Sequence, residues 1–220
     1  MTQAARFEVI GSVEAAAPWI VMVHGISQNH QVFDQQVAAF SGDYRLLLID
    51  LPGHGRSADL PGPYGLQEFA SSIGATLDEI DVPRCHYWGT HIGAGAGLLL
   101  ACRDLRRFAS LILEGPVFPG RPMDSVPAIL ARVAQAVKTD GIKTAREIWW
   151  REGPWFDVMR QHPEACRASQ QRAMIDEFGG GPWLETDLIS RPIEPIESAL
   201  AALDAPVLIM NGQHDVLDFL

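Results

Sequence analysis

The stretch with most chemical consequence is Gly89-Thr-His-Ile-Gly-Ala94, a reactive side chain framed by small residues. This spacing is the frame of a sharp strand-to-helix turn that holds its central residue above the end of a sheet. Glycine is wanted on both sides because a Cβ would block the tight turn and the helix's approach to the strand. The centre of such a turn is usually Ser, and sometimes Cys or Asp; here it is His91. An imidazole near its unperturbed pKa is partly neutral at physiological pH and can act as a base or nucleophile. Three readings of His91 stay open: a working base or nucleophile, an inert replacement in a binding protein, or a substitution that disables a nucleophile.

The elements that must position this turn are read from apolar periodicity. Cys85–Trp88 reads as a short buried strand and the residues after His91, as far as Cys102, as a helix packed on a sheet. Trp19–Val23 is an unbroken apolar run that suits a buried parallel strand, with His24-Gly25 as its exit loop. Arg45–Ile49 and Ser110–Leu113 read the same way, and Phe7–Val13 carries a weaker strand signal. Helical spacing appears in Val32–Phe40 and in Leu66–Ile80, whose Leu66, Phe69, Ile73, Leu77 and Ile80 share one face. From about Val117 to Ala199 no strand pattern is convincing; helical pieces alternate with Pro and Gly, and four of the six tryptophans fall there. Sheet logic resumes at Pro206–Met210. Strands alternating with helices predict a mostly parallel α/β sheet with a helical insertion between two late strands.

Four segments in this order resemble the α/β-hydrolase superfamily, in the branch of small esterases, epoxide hydrolases, dehalogenases and carbon–carbon bond hydrolases. They are Val23-His-Gly-Ile26, Asp50-Leu-Pro-Gly-His-Gly-Arg-Ser57, Gly89–Ala94 and Asn211-Gly-Gln-His-Asp215. The resemblance implies an α/β-hydrolase fold with a core over residues 1–116 and 200–220 and a helical cap over 117–199. It implies that Gly89–Ala94 is a nucleophile elbow and that the backbone N–H groups of Ile26 and Ile92 form an oxyanion hole. It places Asp215 as the triad acid and Glu114 as an alternative acid able to pair with His91. In the family the histidine follows the acid, but the seven histidines here are at 24, 30, 54, 86, 91, 162 and 214. The expectation is therefore an altered or incomplete triad, with the last strand and helix of the fold missing after Leu220.

Other candidates divide between ligand contact and structure. Ser27 either touches a ligand or caps its turn. Trp149, Trp150 and Trp155, with Phe156, either wall an apolar substrate site under the cap or form the cap's own core. His24, His54 and Ser57 read as loop-shaping residues, and Thr90 as pointing away from the site. Cys85, Cys102 and Cys166 show no ligand-like spacing, so no metal or cofactor is expected.

The bulk numbers exclude some classes. A formal charge of −10 over 220 residues argues against a nucleic-acid or anionic-membrane partner. There is no signal-peptide core or bilayer-length apolar run, and the cysteines make no paired framework, so a cytoplasmic protein is expected. The leading functional expectation is a hydrolase-family protein acting on a small, largely apolar ester-like or carbonyl substrate. Alternatives are a degenerate hydrolase fold that binds an apolar ligand or protein, and cofactor-free acid–base chemistry using His91. The apolar Val207–Met210 edge is expected to be unpaired, which predicts homo-oligomerisation or completion by a partner segment.

Overall fold

Alternating side chains let Trp19–Val23 bury both of its faces. In the computed structural model it is strand β2, every residue buried. The structure describes residues 3–121, 123–185, 193 and 196–216. β2 lies between β3 (Arg45–Asp50) and β4 (Cys85–Thr90), parallel to both. The sheet continues through β5 (Phe108–Glu114) to β6 (Val207–Met210), again in parallel. The first strand, β1 (Arg6–Gly11), pairs antiparallel with β3, giving the order β1-β3-β2-β4-β5-β6.

Each face of the sheet has its own cover. Ile20, Met22, Leu46 and Leu48 pack with Phe33, Val37 and Phe40. The last three come from a 3₁₀ turn, His30–Phe33, and helix α1, Asp34–Phe40, so the expected single helix is two short pieces. Asn29 accepts the Gln31 N–H and so caps that turn. On the other face, Trp19, Val21, Val23, Leu47 and Ile49 meet α2 (Leu66–Glu79) and α3 (Ile92–Arg103). The apolar stripe of α2 is buried as its 3.6-residue period requires, with Phe69, Ile73 and Leu77 inaccessible. Within α3 the glycines allow close approach: a Cβ on Gly95 would stand 2.0 Å from the Val117 carbonyl oxygen, and one on Gly97 2.0 Å from the Tyr87 ring.

The stretch between β5 and β6 is helical, as expected: α4 (Val126–Thr139), α5 (Ile142–Glu152), α6 (Asp157–Gln161), α7 (Ala168–Glu177) and α8 (Glu197–Ala201). Its aromatics stack on one another, with Trp149 4.7 Å from Trp155 and 5.4 Å from Trp183 between ring centres. The same cluster grips the body of the protein, since Phe178 stacks on His54 at 4.7 Å. At the far edge of the sheet, Val207, Leu208, Ile209 and Met210 are 42%, 52%, 53% and 38% exposed. Among the described residues β6 pairs with β5 alone. No helix among them is long and apolar enough to cross a membrane.

Two loops at the carboxyl ends of β2 and β3 are held by buried polar groups. Asp50 accepts hydrogen bonds from the His30 N–H at 2.8 Å, the His30 ring at 2.9 Å and the Arg56 N–H at 3.0 Å. Burial alone would push the Asp50 pKa up; these donors outweigh it and hold the carboxyl at about 2. A Cβ on Gly55, at φ +44, would meet that carboxylate at 2.6 Å. His24 donates from Nδ1 to the Gly25 carbonyl at 2.7 Å and accepts the Leu51 N–H at Nε2 at 3.1 Å. That pairing fixes one neutral tautomer, so the 3.6 Å approach of His24 to Asp50 is no ion pair. His54 donates to the Pro52 carbonyl at 3.0 Å. Ser57 is inaccessible and its hydroxyl oxygen accepts the Arg6 N–H at 2.8 Å, so it shapes its loop alongside His24 and His54.

These histidines carry a pH prediction. Burial pushes the His54 pKa down to about 3 and lowers that of His24. Both stay neutral in the fold, while the unfolded chain protonates them below about pH 6.5. The His54 contribution to stability is therefore complete above that pH and is lost as pH falls toward 3, at up to about 1.4 kcal/mol per pH unit, and His24 acts in the same direction. A melting temperature that drops steadily from pH 6.5 to 4.5 is expected; an unchanged one over that range would contradict the assignment.

Candidate active site

The turn between β4 and α3 has the geometry its residues predict. His91 sits at φ 48° and ψ −112°, a conformation side-chain-bearing residues seldom adopt. Three backbone hydrogen bonds hold it there: its N–H donates to the Glu114 carbonyl at 2.8 Å, and its carbonyl accepts from Gly95 at 3.0 Å and Val117 at 3.1 Å. The flanking glycines are compulsory. A Cβ on Gly89 would lie 2.7 Å from the Ala94 backbone, and one on Gly93 2.5 Å from the carbonyl oxygens of Val23 and His24. Tyr87, inaccessible beneath the turn, donates its hydroxyl to the Gly93 carbonyl at 2.6 Å.

His91 forms part of the wall of a small cavity of about 60 Å³ between the sheet and the cap. Ile26 and Ile92 border it from the core side, and Met123, Val126, Leu130, Trp149, Trp155 and Phe156 from the cap side. Ile92 is the first residue of α3, where a backbone N–H has no intrahelical acceptor and the helix dipole favours negative charge. Ile26 lies in the turn closed by the Gln28 N–H on the Gly25 carbonyl at 3.3 Å. Both proposed oxyanion-hole residues therefore stand at the same cavity as His91.

The imidazole has an acidic neighbour. A point 3.1 Å from His91 Nδ1 and Cε1 is only 3.2 Å from Asp215 Oδ2; it is where a Cβ on Gly115 would stand. Burial pushes the His91 pKa below the ordinary imidazole value, while the Asp215 carboxylate, the Gly115 carbonyl and Glu114 act in the opposite direction. The net direction is downward, so His91 is neutral at pH 7 with a carboxylate beside it.

Three candidates take other places. The Glu114 carboxylate accepts the Trp88 indole N–H at 2.6 Å, and its backbone carbonyl, rather than its carboxylate, bonds residue 91. The register explains this: Trp88 pairs with Ile112 and Thr90 with Glu114, which puts Trp88 and Glu114 on one face of the sheet. Ser27, at φ 59°, is inaccessible and accepts the Trp149 indole N–H at 2.8 Å, so it ties the cap to the core. Trp150 packs on Phe156 at 5.0 Å and is no part of the cavity wall, because adjacent residues of α5 point about 100° apart. Trp149 and Trp155 do line the cavity.

Gln28 and Gln171 are not among the residues expected at the site, yet both border the cavity. Gln28 Oε1 accepts the Gly25 N–H at 2.9 Å and the Thr90 hydroxyl at 3.3 Å. Gln28 Nε2 donates to Gln171 Oε1 at 2.8 Å, across 143 residues. For Gln28, its position three residues past Gly25 was a usable signal, because its side chain can reach back to that N–H. For Gln171 there was none.

With this geometry in view, the comparisons with known proteins are decisive for the family. The family model described as alpha/beta hydrolase fold matches residues 18–219. The chain belongs to the α/β-hydrolase fold family. It is 34% identical over 205 residues to a putative carbamate hydrolase of Pseudomonas savastanoi pv. phaseolicola, covering 92% of this chain and 78% of that protein. It is 27% identical to a 3-oxoadipate enol-lactonase of Acinetobacter baylyi, covering 92% and 73% of the two chains. Among solved structures, the enol-lactonase from Burkholderia xenovorans superposes with a TM-score of 0.79 at 22% identity, covering 96% of this chain and 78% of that one. The expected fold class and family stand.

Proposed function

We propose that this α/β-hydrolase-family chain hydrolyses small, largely apolar esters or lactones, with His91 as general base in place of a nucleophile. The observation that carries this reading is a neutral imidazole at the elbow, bordered by Asp215 and by the cavity that Ile26 and Ile92 share. Its relatives named as an enol-lactonase and a carbamate hydrolase are in keeping with a carbonyl substrate.

In the proposed reaction a neutral nitrogen of His91 takes a proton from a water molecule. The water oxygen bonds to the substrate carbonyl carbon as the C=O pair moves onto oxygen. The N–H groups of Ile26 and Ile92 stabilise that oxyanion. The oxygen pair then returns, the bond to the leaving alkoxide breaks, and the imidazolium gives its proton to the alkoxide. Asp215 stabilises the imidazolium between the two steps.

The magnitudes define a modest enzyme. An oxyanion hole with binding leaves roughly 10³–10⁴ over water, and a positioned base adds about 10²–10⁴. Multiplied, the two factors give roughly 10⁵–10⁸, which reaches the lower end of enzymic acceleration, about 10⁶ and above.

The test is steady-state hydrolysis of p-nitrophenyl acetate and p-nitrophenyl octanoate. Saturable turnover is expected, with kcat/KM at least about tenfold higher for the short ester because the cavity is small. Because burial lowers the His91 pKa, the base stays active as pH falls through 6.5 and is lost only further down. A rate linear in ester at all concentrations and matched by free imidazole would sink the hydrolytic reading in favour of ligand binding without turnover.

A further inference from the structure

The amide orientations at the cavity follow from one donor that has no alternative. A backbone N–H only donates, so the atom of Gln28 that meets Gly25 N at 2.9 Å is its carbonyl oxygen. The other atom, Nε2, is then the donor that faces Gln171 at 2.8 Å. Gln171 must meet it with Oε1, which leaves Gln171 Nε2 as a donor fixed by its neighbours. Gln171 is 4% exposed, and among the described residues its Nε2 has no hydrogen-bond partner. Burying a donor empty is costly and uncommon.

We propose that Gln171 Nε2 is a recognition group for a second, uncharged acceptor oxygen on the substrate. This deepens the hydrolytic reading and rests on it for the first carbonyl, the one held beside His91. Gln171 borders the same cavity as His91 and reaches it from the cap, on α7, so a substrate with two carbonyl-type oxygens spans core and cap. The second oxygen is uncharged because none of the residues lining the cavity is Lys or Arg. A carboxylate there would lose its hydration without a cation to replace it. An oxo-ester or a lactone with a second carbonyl fits; a dicarboxylate does not.

The test measures binding alone, so it reads out whether or not the protein hydrolyses esters. Fluorescence from Trp149 and Trp155, which line the cavity, reports binding of hexane-2,5-dione, hexan-2-one and 4-oxopentanoate. The diketone is expected to bind about tenfold tighter than the monoketone. Gln171→Met, similar in length and apolar, should erase that difference, and 4-oxopentanoate should bind more weakly than the diketone. Should the variant fold poorly, infrared spectra of ¹³C-carbonyl hexane-2,5-dione on the unaltered protein decide. Two carbonyl bands shifted to lower frequency are expected. Equal diketone and monoketone affinity, a preference unchanged in Gln171→Met, or one unshifted band would overturn the proposal. Failure of p-nitrophenyl acetate turnover with the diketone preference intact would remove the hydrolytic reading only.

Discussion

Replacing His91 by Ala is expected to lower kcat/KM for p-nitrophenyl acetate by about 10³, in the range a positioned base contributes. The fold should survive, because the three hydrogen bonds that hold residue 91 are made by its backbone. KM should change little, since the apolar wall around Met123, Val126 and Trp155 is untouched. His91→Ser provides the sharper comparison. A serine there regains a hydroxyl but loses the imidazole, and the other described histidines near the core, His24, His30 and His54, are bonded in their own loops. The Ser variant is therefore expected to be as slow as the Ala variant. A Ser variant faster than the parent protein would mean that the base is supplied from elsewhere and that His91 is not the working group.

The second large effect is on the scaffold. Gly93→Ala is expected to cost about 3 kcal/mol, at the upper end for overpacking, because the new Cβ meets the Val23 and His24 carbonyl oxygens at 2.5 Å. Those atoms are backbone at the end of the central strand, so the helix must retreat rather than a side chain turn aside. For a chain of this size that loss lowers the melting temperature by roughly 6–12 °C. Retreat of α3 also carries the Ile92 N–H away from the Ile26 loop, so kcat should fall in the protein that remains folded. Gly120→Ala, where a Cβ meets nothing within 4 Å but φ is +79, should cost only about 1 kcal/mol. Comparing the two by thermal denaturation separates steric clash from backbone strain; equal losses would contradict the packing argument.

The parts of this molecule legible in the sequence are those where backbone geometry dictates residue type. Gly89 and Gly93 are readable because a helix cannot touch a strand end through a Cβ. The loop from Asp50 to Ser57 is readable because its glycines and Pro52 are needed to fold backbone around a buried carboxylate. Buried strands such as Trp19–Val23 announce themselves by unbroken apolar runs. Long-range side-chain pairings were not legible. The Ser27–Trp149 hydrogen bond spans 122 residues, and neither side chain's type indicates that it ties cap to core. The direction of Glu114 depends on the pairing register of β4 and β5, which no local pattern specifies. The division between Trp149 and Trp150 follows from helical geometry once α5 is known, whereas which of the two faces the cavity depends on how the cap docks. Gln171 is a polar residue in a polar-looking helix, and its burial is a property of the assembled fold.

In the proposed reaction His91 acts as a base through its imidazole and is not merely filler at the elbow. The most direct test is chemical rescue of the His91→Ala protein by added imidazole, followed as p-nitrophenyl acetate hydrolysis. Removal of the ring leaves a space on the cavity wall between Gly25 and Gly115, since a Cβ on either glycine would stand within 3.3 Å of the His91 ring. Imidazole should enter that space and restore turnover along a saturable curve, above its own background rate with the ester. Imidazole that adds only its linear background rate to a folded, ligand-binding His91→Ala protein would contradict the claim.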